Sequence, residues 1–238
     1  MKKNLYLSPN YSKKKRLPKD IKFVVIHYTG MQSEIESINR LISKKSKVSC
    51  HYLINRKGQV LNMVPDKKVA WHAGKSKWKK FKNLNNISLG IELVNRGHNF
   101  GYQNYTNPQI IALINLCKRL KKKYNIENSN FLGHSDIAPN RKIDPGEKFP
   151  WKKLSKFNLG IWYKKQNLKI GLKDKKKLNS SFFNNLHKIG YRYFHLHKRF
   201  KKNDRLIIRA FQQRFNPTKV SGNIDKKTFE ISCFLANQ

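Results

Sequence analysis

Acidic side chains are scarce in this chain. Asp and Glu number 13 against 52 Lys and Arg, a formal net charge of +39 over 238 residues. Such an imbalance has two readings. One is affinity for a polyanion: nucleic acid, an anionic membrane surface or an acidic wall polymer. The other is a lysine-heavy composition laid on a solvated surface. The positive residues run the whole length and form no single tail, and no nucleic-acid reader motif accompanies them. Loose, non-specific polyanion binding is expected, and no specific nucleic-acid partner. Cysteine is sparse too. Cys50, Cys117 and Cys233 are odd in number, far apart and without a C-x-x-C pair. That excludes a disulfide framework and suits a reducing compartment. No stretch approaches the roughly eighteen apolar residues of a membrane span. The basic N-terminus, M-K-K-N-L-Y-L-S-P-N, has no apolar core of the kind a secretory signal needs. The expectation is a cytoplasmic protein, or a periplasmic or wall-associated one if a signal segment has been removed. No internal repeat is present.

What is present suffices for a core. Hydrophobic residues make up 38% and aromatics 12%, enough for one large domain or two smaller ones. After a basic, irregular lead-in over 1–20, I-K-F-V-V-I-H at 21–27 reads as a buried strand. Ser33 and Glu36 form a capping box, and Ile35, Ile38, Leu41 and Ile42 recur on one helical face. H-Y-L-I-N-R, a turn at Lys57-Gly58 and Q-V-L-N-M-V predict a hairpin. Residues 66–86 read as a long polar loop, and 87–95, I-S-L-G-I-E-L-V-N, as a strand. A helix over about 108–123 follows from Thr106 or Asn107 as cap, Pro108 in the first turn, and an apolar face of Ile110, Ile111, Leu113, Ile114, Cys117 and Leu120. A short strand then enters a stiff loop at 131–146.

That loop, F-L-G-H-S-D-I-A-P-N-R-K-I-D-P-G, carries two prolines and two glycines that forbid a long helix. It holds His134, Lys142 and Asp144. With His27, which ends the first strand, His134 and Asp144 make a normal ligand set for catalytic zinc with one position left open. Lys142 and Asp144, two apart in extended chain, share a side. Each histidine taken alone is equally readable as structural, and Lys142 alone as a solvated charge. Glu92 interrupts an apolar strand. It is either the polar outward face of that strand or a general base of raised pKa beside a metal-activated water.

Several stretches together carry a resemblance: F-V-V-I-H-Y-T-G-M, S-C-H-Y-L-I-N-R-K-G-Q-V, A-W-H-A-G, N-N-I-S-L-G-I-E-L-V-N and G-H-S-D-I-A-P-N-R-K-I-D-P-G-E-K-F-P-W. In this order, over about residues 5–152, they resemble the zinc-dependent N-acetylmuramoyl-L-alanine amidases of the type-2 family, in the branch that holds the AmiD and AmpD enzymes. The tail, A-F-Q-Q-R-F-N-P and G-N-I-D-K-K-T-F, is similar to the three-helix peptidoglycan-binding domain often fused to that branch.

The resemblance implies an α/β fold, a central mixed β-sheet flanked by helices, followed by a small all-α three-helix domain. The residues divide the chain in the same way: a catalytic domain at 1–154, a lysine-rich, aperiodic linker at 155–176, and a helical domain at 177–238, where Phe182, Phe183, Leu186 and Ile189 space one helix face, Leu206, Ile207, Ala210, Phe211 and Phe215 another, and Asp225 can cap a last helix containing Phe229. The resemblance implies one zinc per chain on His27, His134 and Asp144. Glu92 would be the base and Lys142 the partner of the developing oxyanion. Tyr28, Trp71, His72 and Asn86 would line the substrate groove, and His51 would be structural. Cys50 falls where some relatives carry an assisting tyrosine. The implied activity is hydrolysis of the bond between N-acetylmuramic acid and L-alanine in peptidoglycan or muropeptides. The alternative is a non-catalytic peptidoglycan-recognition protein, which the full set of ligands disfavours.

Overall fold

The computed structural model describes residues 6–164, 175–196 and 204–238. The first five residues of the expected lead-in and the centre of the expected linker, 165–174, lie outside them. In chain order the strands are β1 (Tyr11–Ser12), β2 (Phe23–Tyr28), β3 (Tyr52–Ile54), β4 (Val60–Asn62), β5 (Val69–Ala70), β6 (Lys77–Trp78), β7 (Phe81–Lys82), β8 (Ser88–Leu93) and β9 (Phe131–Gly133). The helices are α1 (Glu34–Ile42), α2 (Asn107–Tyr124), α3 (His134–Ile137), α4 (Trp151–Ser155), α5 (Lys175–Ile189), α6 (Asp204–Phe215) and α7 (Lys226–Ala236).

A five-stranded mixed sheet in the order β4-β3-β8-β2-β9 organises the molecule. β2 runs parallel to β8 and β9, and β3 parallel to β8; only the hairpin partner β4 is antiparallel. The four parallel strands therefore end on one edge. In parallel sheets ligands sit beyond the carboxyl ends of the strands.

Alternation along the strands sorts their side chains by face. Val24, Ile26, Leu89, Ile91, Leu93 and Phe131 pack with Ile110, Leu113, Ile114, Cys117 and Leu120 of α2. Phe23, Val25 and Leu132 on the opposite face join a second core with Phe182, Leu186, Tyr191, Phe211 and Phe215 of the C-terminal helices. Continuing the second alternation along β2 and β8 leads to His27 and, level with it in register, Glu92.

The helices start where the sequence places them. Thr106 accepts the Gln109 N–H, and Ser33 accepts the Glu36 N–H. Glu36, however, caps Gln32 rather than Ser33, so the capping box is closed one residue early. Two apolar positions depart from the expected faces. Ile35 is 70% exposed and Ile111 54% exposed. Both flank their helical stripe, and the helix turns them past the neighbour it packs on. The long loop at 66–86 contains β5, which pairs with β1, and the β6–β7 ladder. The lead-in is also more ordered than its composition suggests. Buried Arg16 donates to the carbonyls of Ser88 at 2.6 Å and Asp66 at 2.9 Å.

The first part of the expected linker is packed chain rather than a spacer. Leu159 is buried in the α2-side core, and Trp162 stacks on Tyr163 and packs against Phe215. The three helices expected at the end are present. Asp225 caps α7 by accepting the Thr228 N–H at 2.8 Å.

Candidate active site

Three buried groups converge at the carboxyl edge of the sheet. His27 Nδ1 lies 2.9 Å from His134 Nδ1 and 3.0 Å from Asp144 Oδ2, and His134 Nδ1 lies 3.1 Å from the same oxygen. His27 ends β2. His134 opens α3 directly after β9. Asp144 is brought back by the loop, whose Asp144 carbonyl accepts the Ser135 N–H at 2.8 Å.

The hydrogen bonds behind the rings fix their protons. Ser88 Oγ donates to the Leu84 carbonyl, so it accepts from His72 Nε2 at 3.2 Å. His72 Nδ1 is then a lone pair and accepts from His27 Nε2 at 3.0 Å. His134 Nε2 donates to the Ala73 carbonyl at 3.1 Å. Both Nδ1 atoms therefore present lone pairs to a carboxylate oxygen, and nothing but a cation reconciles three such donors. A tetrahedral zinc with bonds of about 2.0–2.1 Å would spread its ligands to roughly 3.3 Å, a few tenths wider than observed. Burial and the neighbouring His134 lower His27 to about 4, keeping it neutral. A neutral imidazole and an ionised carboxylate are the states metal binding requires. The donor set fits zinc. Among the described residues no other cluster of this kind occurs.

Glu92 stands next to this centre. Its Oε2 is buried and makes no hydrogen bond. Burial, with Asp144 adding, pushes it up to about 8. A carboxyl so placed adds no hydrogen bond to the fold, and burial favours its protonated form. Cys50 is fully buried close to Glu92, which adds to burial in raising the thiol well above its ordinary value.

A cavity of about 570 Å³ opens over the centre, lined by His27, Glu92, His134, Lys142 and Asp144, with Tyr28 and Trp71 on its walls. His72 reaches its floor but is only 8% exposed, with both ring nitrogens engaged. The structure thus places it beneath His27 as a support. Gly90 makes that possible, since a Cβ there would lie 2.3 Å from the His72 ring. Asn86 is exposed and does not line the cavity. Its neighbour Asn85 matters instead, accepting the N–H groups of His72 and Ala73 at 3.1 and 2.7 Å. His51 lies behind the site, its Nδ1 accepting the Gly90 N–H. Arg40, Phe100 and Arg141 also line the cavity and carry no motif that would have marked them.

Comparison with known proteins agrees with this geometry. The sequence profile of the N-acetylmuramoyl-L-alanine amidase family (Amidase_2) matches residues 17–147. The N-acetylmuramoyl-L-alanine amidase AmiD of Escherichia coli K12 is 35% identical over 226 residues, covering 89% of this chain and 81% of that protein. The structure of E. coli AmiD with the substrate anhydro-N-acetylmuramic acid-L-Ala-D-γ-Glu-L-Lys superposes with a TM-score of 0.78 at 32% identity, covering 95% and 92% of the two chains. AmpDh3 from Pseudomonas aeruginosa superposes at 0.79 with 29% identity, over 96% of each chain. The relatives match over most of the chain, the sheet and the C-terminal helices included, and the chain belongs to the N-acetylmuramoyl-L-alanine amidase family.

Proposed function

We propose that the protein hydrolyses the amide bond between the lactyl group of N-acetylmuramic acid and L-alanine, in peptidoglycan or in muropeptides released from it. The observation that carries this reading is the convergence of His27, His134 and Asp144 beside the unpaired carboxyl of Glu92. His27, His134 and Asp144 would hold one zinc ion. Zinc there supplies a Lewis acid that polarises a carbonyl and acidifies water.

The chain's own residues do the rest. Glu92 Oε2 takes a proton from the attacking water as the carbon–oxygen bond forms. It passes that proton to the departing nitrogen as the carbon–nitrogen bond breaks, leaving a muramyl carboxylic acid and a free stem peptide. The Lys142 ammonium faces the same cavity and stabilises the negative charge that develops on the carbonyl oxygen. Tyr28 and Trp71 give the groove flat aromatic walls suited to a sugar face or peptide plane. Arg40 and Arg141 suit a carboxylate of the stem peptide, such as that of the γ-linked glutamyl residue in the peptide bound to E. coli AmiD.

Digesting sacculi and anhydro-muropeptides in parallel, with and without a chelator, tests the reading. Mass analysis should find stem peptides beginning at L-alanine, lost on chelation and restored by zinc. Cleavage at another bond, or indifference to the chelator, would overturn it.

A further inference from the structure

The sheet order leaves β9 at an edge, with outward backbone groups that no strand satisfies. Those groups belong to the residues that lead into His134. One of them, the Phe131 carbonyl, is met from the C-terminal helices, and another, the Gly133 N–H, by a carboxylate those helices hold. Arg214 of α6 donates from Nη2 to the Phe131 carbonyl at 3.1 Å. Its Nη1 donates to Asp136 Oδ2, the same oxygen that accepts the Gly133 N–H at 2.8 Å. Tyr191, just after α5, donates its hydroxyl to Asp136 Oδ1 at 2.5 Å. Asp136 is 1% and Arg214 3% exposed. The Arg214 guanidinium also lies 4.0 Å over the Trp151 ring, which fixes its plane.

We propose that Arg214, through Asp136, is a positioning residue for the catalytic centre, holding the turn that presents His134. This rests on the reading of His134 as a metal ligand. Asp136 sits two residues after His134 and ties down the residue just before it, so the short α3 is clamped on both sides of the ring it carries. A helix of four residues has little stability of its own. Without Arg214 the Asp136 carboxylate would be buried and uncompensated, and such a group turns toward water instead of staying in place. It would then release the Gly133 N–H, and with it the rotation of the His134 ring. Gln213, next to Arg214, reaches the other flank. It approaches Glu147 Oε2 at 3.5 Å, Glu147 meets His98 Nε2 at 3.0 Å, and His98 Nδ1 meets the hydroxyl of Tyr28 on the groove wall at 2.9 Å. Two successive residues of α6 thus bear on opposite sides of the cavity. The helical unit is on this account a support behind the active site as well as any surface for polymer.

The test uses the full chain and three variants: Arg214→Met, Tyr191→Phe and Leu235→Ala. The last removes buried apolar bulk from α7 and none of the hydrogen bonds named above, so it reports the effect of lost stability. Zinc affinity is measured by competition with a chromophoric chelator, and kcat, KM and Tm are measured beside it. Arg214→Met should weaken zinc binding roughly tenfold, the lower end for groups that orient metal ligands. It should lower kcat and leave KM unchanged. Tyr191→Phe should move both quantities the same way by less. Leu235→Ala should lower Tm and leave zinc affinity at the wild-type value. Arg214→Met with wild-type zinc affinity and kcat would overturn the proposal, and so would an equal loss of zinc affinity in Leu235→Ala. Should Arg214→Met not fold, Tyr191→Phe decides in the same terms, and wild-type values there overturn it. A wild-type chain that takes up no zinc would instead fail the site reading itself, and shows before any variant is compared.

Discussion

In the proposed mechanism the chemistry turns on Glu92, and two measurements isolate it. Glu92→Gln keeps the shape and removes the base. The variant should retain zinc and lose about 10²–10⁴-fold in kcat; a rate near wild type would reassign the base. Its stability carries a second signature. In metal-free protein burial raises Glu92 from 4.5 to about 8. Between those values the folded chain keeps a proton that the unfolded chain has released. The contribution of this group to stability therefore falls as pH rises from about 4.5 to about 8. With a chelator present, Glu92→Gln should melt above wild type at pH 8, by on the order of a few kcal/mol at most, and the gain should vanish toward pH 4.5. Thermal melts across that window check it, and a gain that grows with acid would contradict it. His72 is tested separately. His72→Phe leaves His27 Nε2 without its acceptor and frees the ring to carry its proton toward the metal. Zinc affinity should fall about 10–100-fold with the fold intact by circular dichroism.

At this scale the sequence was legible wherever a residue type is rare or out of place. Glu92 stands out because it breaks an apolar strand, and His134 and Asp144 because they sit on a stiff loop. His27 ends a strand, which gives its position but not its partners. Asp136, Arg214 and Asn85 were not legible. An aspartate two residues after a histidine, one arginine among many cations and one of two successive asparagines acquire their roles only from partners in other elements of the fold. His72 was read as a groove residue because A-W-H-A-G says nothing of which way the ring turns.

The elements were legible in proportion to how local their cause is. α2 follows from a cap, a first-turn proline and an apolar stripe, and the structure reproduces the cap, the proline and the stripe apart from exposed Ile111. β2 and β8 follow from β-branched runs. The two-residue ladders at 69–82 could not be read, because their pairing depends on partners elsewhere in the fold. The face of each strand that would carry the site follows from alternation, but alternation does not say which neighbour lies over it. Gly90 shows the consequence. The strand reads equally well with alanine, yet the His72 ring occupies the place of a Cβ. Gly90→Ala should push His72 off His27, so that zinc affinity falls together with Tm. A variant that binds zinc like wild type would mean that the ring moves without disturbing its partner.

At the scale of the whole molecule, the sheet is covered on one face by α2 and on the other by the C-terminal helices, and the catalytic centre stands at its carboxyl edge. The helices were legible as a unit, from their caps and apolar faces. Their seat on the sheet was not, because the composition of a binding module and that of a structural wall are the same. No helix among the described residues is long and apolar enough to cross a membrane. The central claim concerns one bond, and hydrolysis of a defined anhydro-muropeptide in heavy-oxygen water tests it most directly. Water attack on the lactyl carbonyl predicts one heavy oxygen in the new muramyl carboxylate and none in the released peptide, in wild type with zinc and not in Glu92→Gln. Label in the peptide, or product formed equally by the variant, would contradict the account.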